Sequence, residues 1–292
     1  MRWAFLALVA IGLPACDRDA NAGRELHSGT GAEHVAAANV KPAGFFFDGA
    51  DAASPKAIDA HGERLSHVLG CRGCHTPTLE GEWFNSDSPQ LGKIYASNLT
   101  RIIPTMSDAQ LETLLRTGKH PTRGDLWIMP SEVFQRLSDA DMKALIAHLR
   151  TVKPAGQPTP PPELTDLGRK LVADGKLKPV SAYMAEYRDK LPPDMGPAHA
   201  FGRYLAGATC AECHGADLTG IKDFEPGLDT PDLDIAGTYS DSELATLLTT
   251  GKGKTRADLG LMTLVGKGHF SYLTPRERAA VIGYVKARAG RR

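Results

Sequence analysis

A chain of 292 residues with 42% hydrophobic and 23% charged side chains is a globular protein long enough for two ordinary domains, which excludes a largely disordered polypeptide. Its 34 Lys and Arg balance its 34 Asp and Glu, so no basic excess points to nucleic acid. Five cysteines are the informative count: Cys16 stands alone, and the other four form two C-x-x-C pairs.

Met1-Arg2 gives a short positive start, and Trp3 to Leu13 is an apolar run too short to span a bilayer as a helix. The run ends in Leu13-Pro14-Ala15-Cys16, which resembles a bacterial lipoprotein cleavage box. Residues 1–15 would then be a signal peptide and Cys16 the lipidated residue; the alternative is an ordinary signal peptide with an incidental cysteine. Residues 16–55 lack a sustained period and read as a flexible tether. Phe45-Phe46-Phe47 interrupts it and is expected to dock on a domain.

Ile58, Leu65, Val68 and Leu69 space a helix that leads into Cys71-Arg72-Gly73-Cys74-His75. Ser107 and Gln110 form a capping box for a second helix, which stops at Gly118. Met129 follows in Ile128-Met129-Pro130, in a loop. Ser138-Asp139-Ala140-Asp141 then starts a last helix through Met142, Leu145 and Ile146. Pro154, Pro158, Pro160, Pro161 and Pro162 make a stiff, extended linker, and residues 163–195 read as short helices.

The pattern then repeats. Phe201, Tyr204, Leu205 and Ala208 lead into Cys210-Ala211-Glu212-Cys213-His214. Ser240 and Glu243 cap a helix that stops at Gly251, and Met262 stands at the same offset from Ser240 as Met129 from Ser107. Thr274-Pro275-Arg276-Glu277 caps the closing helix. The expected fold is all-α: two tandem domains, 56–152 and 196–292, joined by the proline-rich segment 153–195, with no convincing strand.

The chemistry lies in C-x-x-C-H. Two thiols must reach two vinyl groups of one porphyrin, and the adjacent histidine is then carried beneath the iron. A zinc site would need further Cys or His ligands at compatible spacing, and no cysteine remains to supply them. Cys71, Cys74, Cys210 and Cys213 are therefore read as attachment points for two covalent haems c, with His75 and His214 as proximal iron ligands. Met129 and Met262 are the expected sixth ligands, because both follow the middle helix at one offset. His269 competes for the second iron, while His61 and His67 are expected to face solvent or a haem carboxylate. No nucleophile elbow, phosphate loop or carboxylate pair stands out.

Further local sequence carries a resemblance: Gly92-Lys93-Ile94-Tyr95-Ala96-Ser97-Asn98-Leu99-Thr100, the Arg116-Thr117-Gly118 turn, and Met129-Pro130 through Leu137-Ser138-Asp139-Ala140-Asp141. From about residue 56 onward the chain resembles di-haem class I cytochromes c, including the cytochrome subunits of bacterial membrane-bound dehydrogenases. Those subunits commonly carry three haem domains, where this chain has two motifs, and Met262 lacks the usual following proline. The resemblance implies that the carbonyl of Pro231 braces His214. In the first half, Ser97-Asn98-Leu99 occupies that place.

The expectation is a periplasmic electron carrier, or electron-transfer subunit, held to a membrane by lipid on Cys16. It would exchange electrons with a dehydrogenase or quinol donor, a soluble cytochrome or a terminal oxidase. A haem enzyme, such as a peroxidase or a sulfur-compound dehydrogenase with an open second haem, is the alternative. A haem-based sensor or assembly subunit is a third reading.

Overall fold

The computed structural model describes residues 44–86, 89–224 and 227–291. The expected signal peptide, Cys16 and most of the expected tether lie outside the described residues. Before the proline-rich stretch the helices are α1 (Pro55–Val68), α2 (Cys71–Cys74), α3 (Leu99–Ile102), α4 (Asp108–Thr117), α5 (Ser131–Phe134) and α6 (Asp139–Thr151). The stretch itself leads to α7 (Asp166–Ala173) and α8 (Ser181–Asp189). After it come α9 (Ala200–Thr209), α10 (Ala211–His214), α11 (Asp241–Thr250), α12 (Leu261–Gly268) and α13 (Pro275–Ala289).

The caps read from the sequence are in place. Ser107 with Gln110, Ser240 with Glu243 and Thr274 with Glu277 each form the reciprocal box, and α4 and α11 end on left-handed Gly118 and Gly251. In each half the helix before the motif crosses the last helix at a glycine. A Cβ on Gly62 would lie 2.0 Å from the Ala144 carbonyl oxygen and 2.7 Å from Cβ of His148. A Cβ on Gly202 would lie 2.1 Å from the Ala280 carbonyl oxygen and 2.7 Å from Cβ of Tyr284. The α1–α6 and α9–α13 pairs are thus the same close crossing used twice.

Among the described residues, six two-residue strands escape the sequence reading. β1 (Glu82–Trp83) pairs with β3 (Tyr95–Ala96), β2 (Gly92–Lys93) with β6 (Glu163–Leu164), and β4 (Lys119–His120) with β5 (Gly124–Asp125), all antiparallel. Two residues are too few to show an alternating pattern.

The β2–β6 pairing shows that the proline-rich stretch is laid along the first half. Nδ2 of Asn98 donates to the carbonyls of Ala155 and Gln157, both at 2.9 Å, and Oγ1 of Thr100 donates to Ala155 at 3.0 Å.

The described residues fall in one unit, and the two halves meet in its interior. The third residue of each closing helix supplies a fully buried carboxylate there, Asp141 on α6 and Glu277 on α13. Tyr204 of α9 donates to Oδ2 of Asp141 at 3.2 Å. Arg64 of α1 donates to Oε2 and Oε1 of Glu277 at 2.8 and 3.1 Å. Consecutive backbone N–H groups then close the seam, from Phe47 to Asp141 (3.1 Å) and from Asp48 to Glu277 (2.8 Å). Phe47 is fully buried with its ring against Tyr204, whereas Phe45 and Phe46 stay exposed.

Candidate haem-binding sites

α1 ends at Leu69, and Gly70 takes a left-handed conformation that turns the chain directly into α2. This turn sets Cys71, Cys74 and His75 on one wall of a cavity of about 500 Å³. Nδ1 of His75 donates to the Ser97 carbonyl at 2.7 Å, which fixes the tautomer and leaves Nε2 with the lone pair a metal needs. Burial lowers the pKa of His75, so the ring is neutral. Burial also pushes the Cys71 thiol up to about 12 and the Cys74 thiol up to about 11. Neither is in a disulfide.

The rest of the lining is mainly apolar and includes Ile103, Leu111, Leu114, Met129 and Pro130. Met129 follows Ile128, whose φ of 66° lies in the left-handed region, and its carbonyl accepts from the Ser131 N–H at 2.8 Å. Met106 also lines this cavity and is buried. Arg123 is the one Lys or Arg among the described lining residues. A greasy cavity with two unbridged thiols, a tautomer-fixed imidazole, a thioether and one cation fits a covalently held porphyrin with two carboxylates.

The second motif is built in the same way. Nδ1 of His214, on α10, donates to the Pro231 carbonyl at 2.8 Å. Burial lowers the pKa of His214 and pushes the Cys210 thiol up to about 11. The loops after the two motifs match bond for bond. The Gly81 N–H donates to the His75 carbonyl and the Gly220 N–H to the His214 carbonyl, both at 2.9 Å. Leu79 and Leu218 are both fully buried with positive φ, 63° and 65°. They accept from the Leu99 and Leu233 N–H groups at 2.9 and 3.0 Å. A Cβ on Gly81 would strike the Ala96 carbonyl, and one on Gly220 the Thr230 carbonyl. The Leu-x-Gly spacing after each histidine carried this signal, and the sequence reading missed it.

Met262 stands differently from the expectation. It is the second residue of α12 and not part of a loop, and it packs partly buried against the core. α12 is held to the end of α11 by Oγ1 of Thr263, which donates to the Gly251 carbonyl at 2.8 Å.

Other histidines also depart from expectation. His61 does not face solvent: it is buried, with Nε2 2.9 Å from Oδ1 of Asp141. His67 stacks on Tyr272. His269, expected to compete for the second iron, lies with its ring against Gly70 and Gly73 of the first motif.

Residues 200–289 match the cytochrome c family, a class defined by covalent haem c and one-electron transfer, and the match includes the second motif and Met262. The chain is also similar to the fructose dehydrogenase cytochrome subunit of Gluconobacter japonicus, with 27% identity over 263 residues, 78% of this chain and 52% of the relative. The chain thus spans about half the length of the curated relative it matches. Residues 200–289 thus carry a cytochrome c match, and the chain more widely is similar to the cytochrome subunit of a dehydrogenase.

Proposed function

We propose that the protein is a di-haem electron carrier of the bacterial periplasm, with one haem c on Cys71 and Cys74 and a second on Cys210 and Cys213. His75 and His214 are the proximal ligands, Met129 and Met262 the distal ones. The observation that carries the reading is the bond-for-bond match of the two motif loops, from His75 on Ser97 to His214 on Pro231. When bound, each haem supplies a reversible one-electron couple. The chain's own part is to fix the imidazole tautomers, keep water from the irons and fill both axial positions. With Met129 and Met262 as further ligands, each haem would favour the ferrous state and would serve outer-sphere electron transfer.

Similarity to a dehydrogenase cytochrome subunit supports a dehydrogenase as donor, with a soluble cytochrome or terminal oxidase as acceptor. Lipid on Cys16 would hold the carrier at the membrane. Two tandem domains with the proline-rich segment between them, 56–152 and 196–292, complete the reading.

A pyridine haemochrome count on the purified protein tests it, with two haems per chain expected. A count of one overturns the di-haem reading. Mass spectrometry of the N-terminal peptide tests Cys16: unmodified cysteine there would refute the lipid anchor.

A further inference from the structure

His269 caps the C-terminus of α12, the helix whose second residue is Met262, yet its ring is laid on the other motif. A Cβ built on Gly73 would lie 2.4 Å from Nε2 of His269, and one on Gly70 would lie 3.3 Å from Cε1. The ring fills the space that two absent side chains leave on the Cys71–Cys74 turn. Two contacts beside it tie the same stretch of chain to α1. The rings of His67 and Tyr272 stack with centroids 3.9 Å apart and planes 11° from parallel. Arg64 donates to the Tyr272 carbonyl at 3.3 Å and to Glu277 at 2.8 Å. Residues 269–277 therefore stay pressed on the end of α1 and on the turn that follows.

We propose that His269 is a positioning residue for the first haem motif, supplied by the second half of the chain, and that it raises the reduction potential of the haem held by Cys71 and Cys74. The proposal rests on the reading of both motifs as haem sites. Oxidation adds a positive charge to a haem, and nearby water stabilises that charge. Gly73 stays exposed and His269 is half-buried, so the ring covers part of the attachment turn. Cover that lowers contact with water favours the ferrous form, which is the burial route to a higher potential. Burial also lowers the pKa of His269, which favours the uncharged ring. Gly73 is the matching half of the device, because any side chain there would displace the ring. The second motif has Glu212 at the corresponding place, and there the neighbouring Ala211 carbonyl accepts from the Tyr187 hydroxyl at 3.0 Å.

The test is a redox titration of the full-length, haem-loaded protein. The wave that moves in Met129→Ala belongs to the first haem. His269→Ala is expected to shift that wave downward and leave the other in place, and His269→Phe, which refills the space with an uncharged ring, to return it most of the way. If His269→Ala is not recovered, Gly73→Ala is expected to give the same downward shift by pushing the ring off the turn. Unmoved waves would overturn the proposal. So would a shift confined to the second haem, which would make His269 a neighbour of that iron. A haem count of one in the wild-type protein defeats the underlying two-haem reading, and is read separately from any potential.

Discussion

Arg64 and Glu277 are 213 residues apart in sequence, and the guanidinium of one forks onto both carboxylate oxygens of the other. The carboxylate is fully buried, and it also accepts from the backbone N–H groups of Asp48 and Thr274. Removing Arg64 leaves a buried charge without its counterion, which costs about 3–5 kcal/mol. Arg64→Ala is therefore expected to be the most damaging surface-derived substitution in α1, measured as a fall in the urea midpoint. Tyr204→Phe removes the hydrogen bond to Asp141 and the acceptor of the Ser138 N–H, and should cost about 1–3 kcal/mol.

The close crossings make a second prediction. A methyl group on Gly62 or Gly202 would have to displace a backbone carbonyl and a facing Cβ. Gly62→Ala and Gly202→Ala should each destabilise the fold by about 1–3 kcal/mol, the range for overpacking. Gly283→Ala, inside α13 where a Cβ meets nothing within 4 Å, should stabilise by up to about 1 kcal/mol and serves as the control in thermal unfolding.

Axial ligation is checked by carbon monoxide. Met129→Ala is expected to open one ferrous iron to rapid binding and to remove the methionine–ferric-haem absorption band from that haem. Met106→Ala, in the same cavity, should leave both properties unchanged. The reverse result would transfer the ligand role to Met106. Met262→Ala is expected to open the other iron.

A pH-dependent prediction comes from Glu132 on α5. Its Oε2 is buried without a partner among the described residues, and burial, with a smaller contribution from the Glu212 charge, pushes the carboxyl from 4.5 up to about 7. The folded state therefore keeps this proton to higher pH than the unfolded chain does. Below 4.5 both states hold it and the group has no effect on stability. Between 4.5 and about 7 the folded state binds more protons, so stability falls as pH rises, and the loss is complete above that window. Glu132→Gln cannot ionise. It should match the wild type at pH near 4 and exceed it by about 1–3 kcal/mol at pH near 8, by urea unfolding at the two pH values.

Much of this was written locally in the chain. The capping boxes at Ser107, Ser240 and Thr274, the glycine stops and the helices running into Cys71 and Cys210 are short-range signals, and each fell where its residues pointed. The details that went astray depend on distant partners. Met262 lacks the proline that follows Met129, and without that break α12 starts one residue ahead of it. His61 looked exposed because its partner, Asp141, is 80 residues away. His269 looked like a ligand for the nearer motif because nothing in a linear sequence shows that Gly73 leaves room for its ring. The buried roles of Asp141 and Glu277 were masked by their place in the first turn of a helix, where a carboxylate needs no further explanation.

The N–H groups of Phe47 and Asp48 bind one buried carboxylate from each half. A pull on the chain from its N-terminal side would consequently load the joint between the halves first. Phe47 and Asp48 precede both motifs in the chain, so such a pull would reach these two bonds before either histidine and its backbone brace.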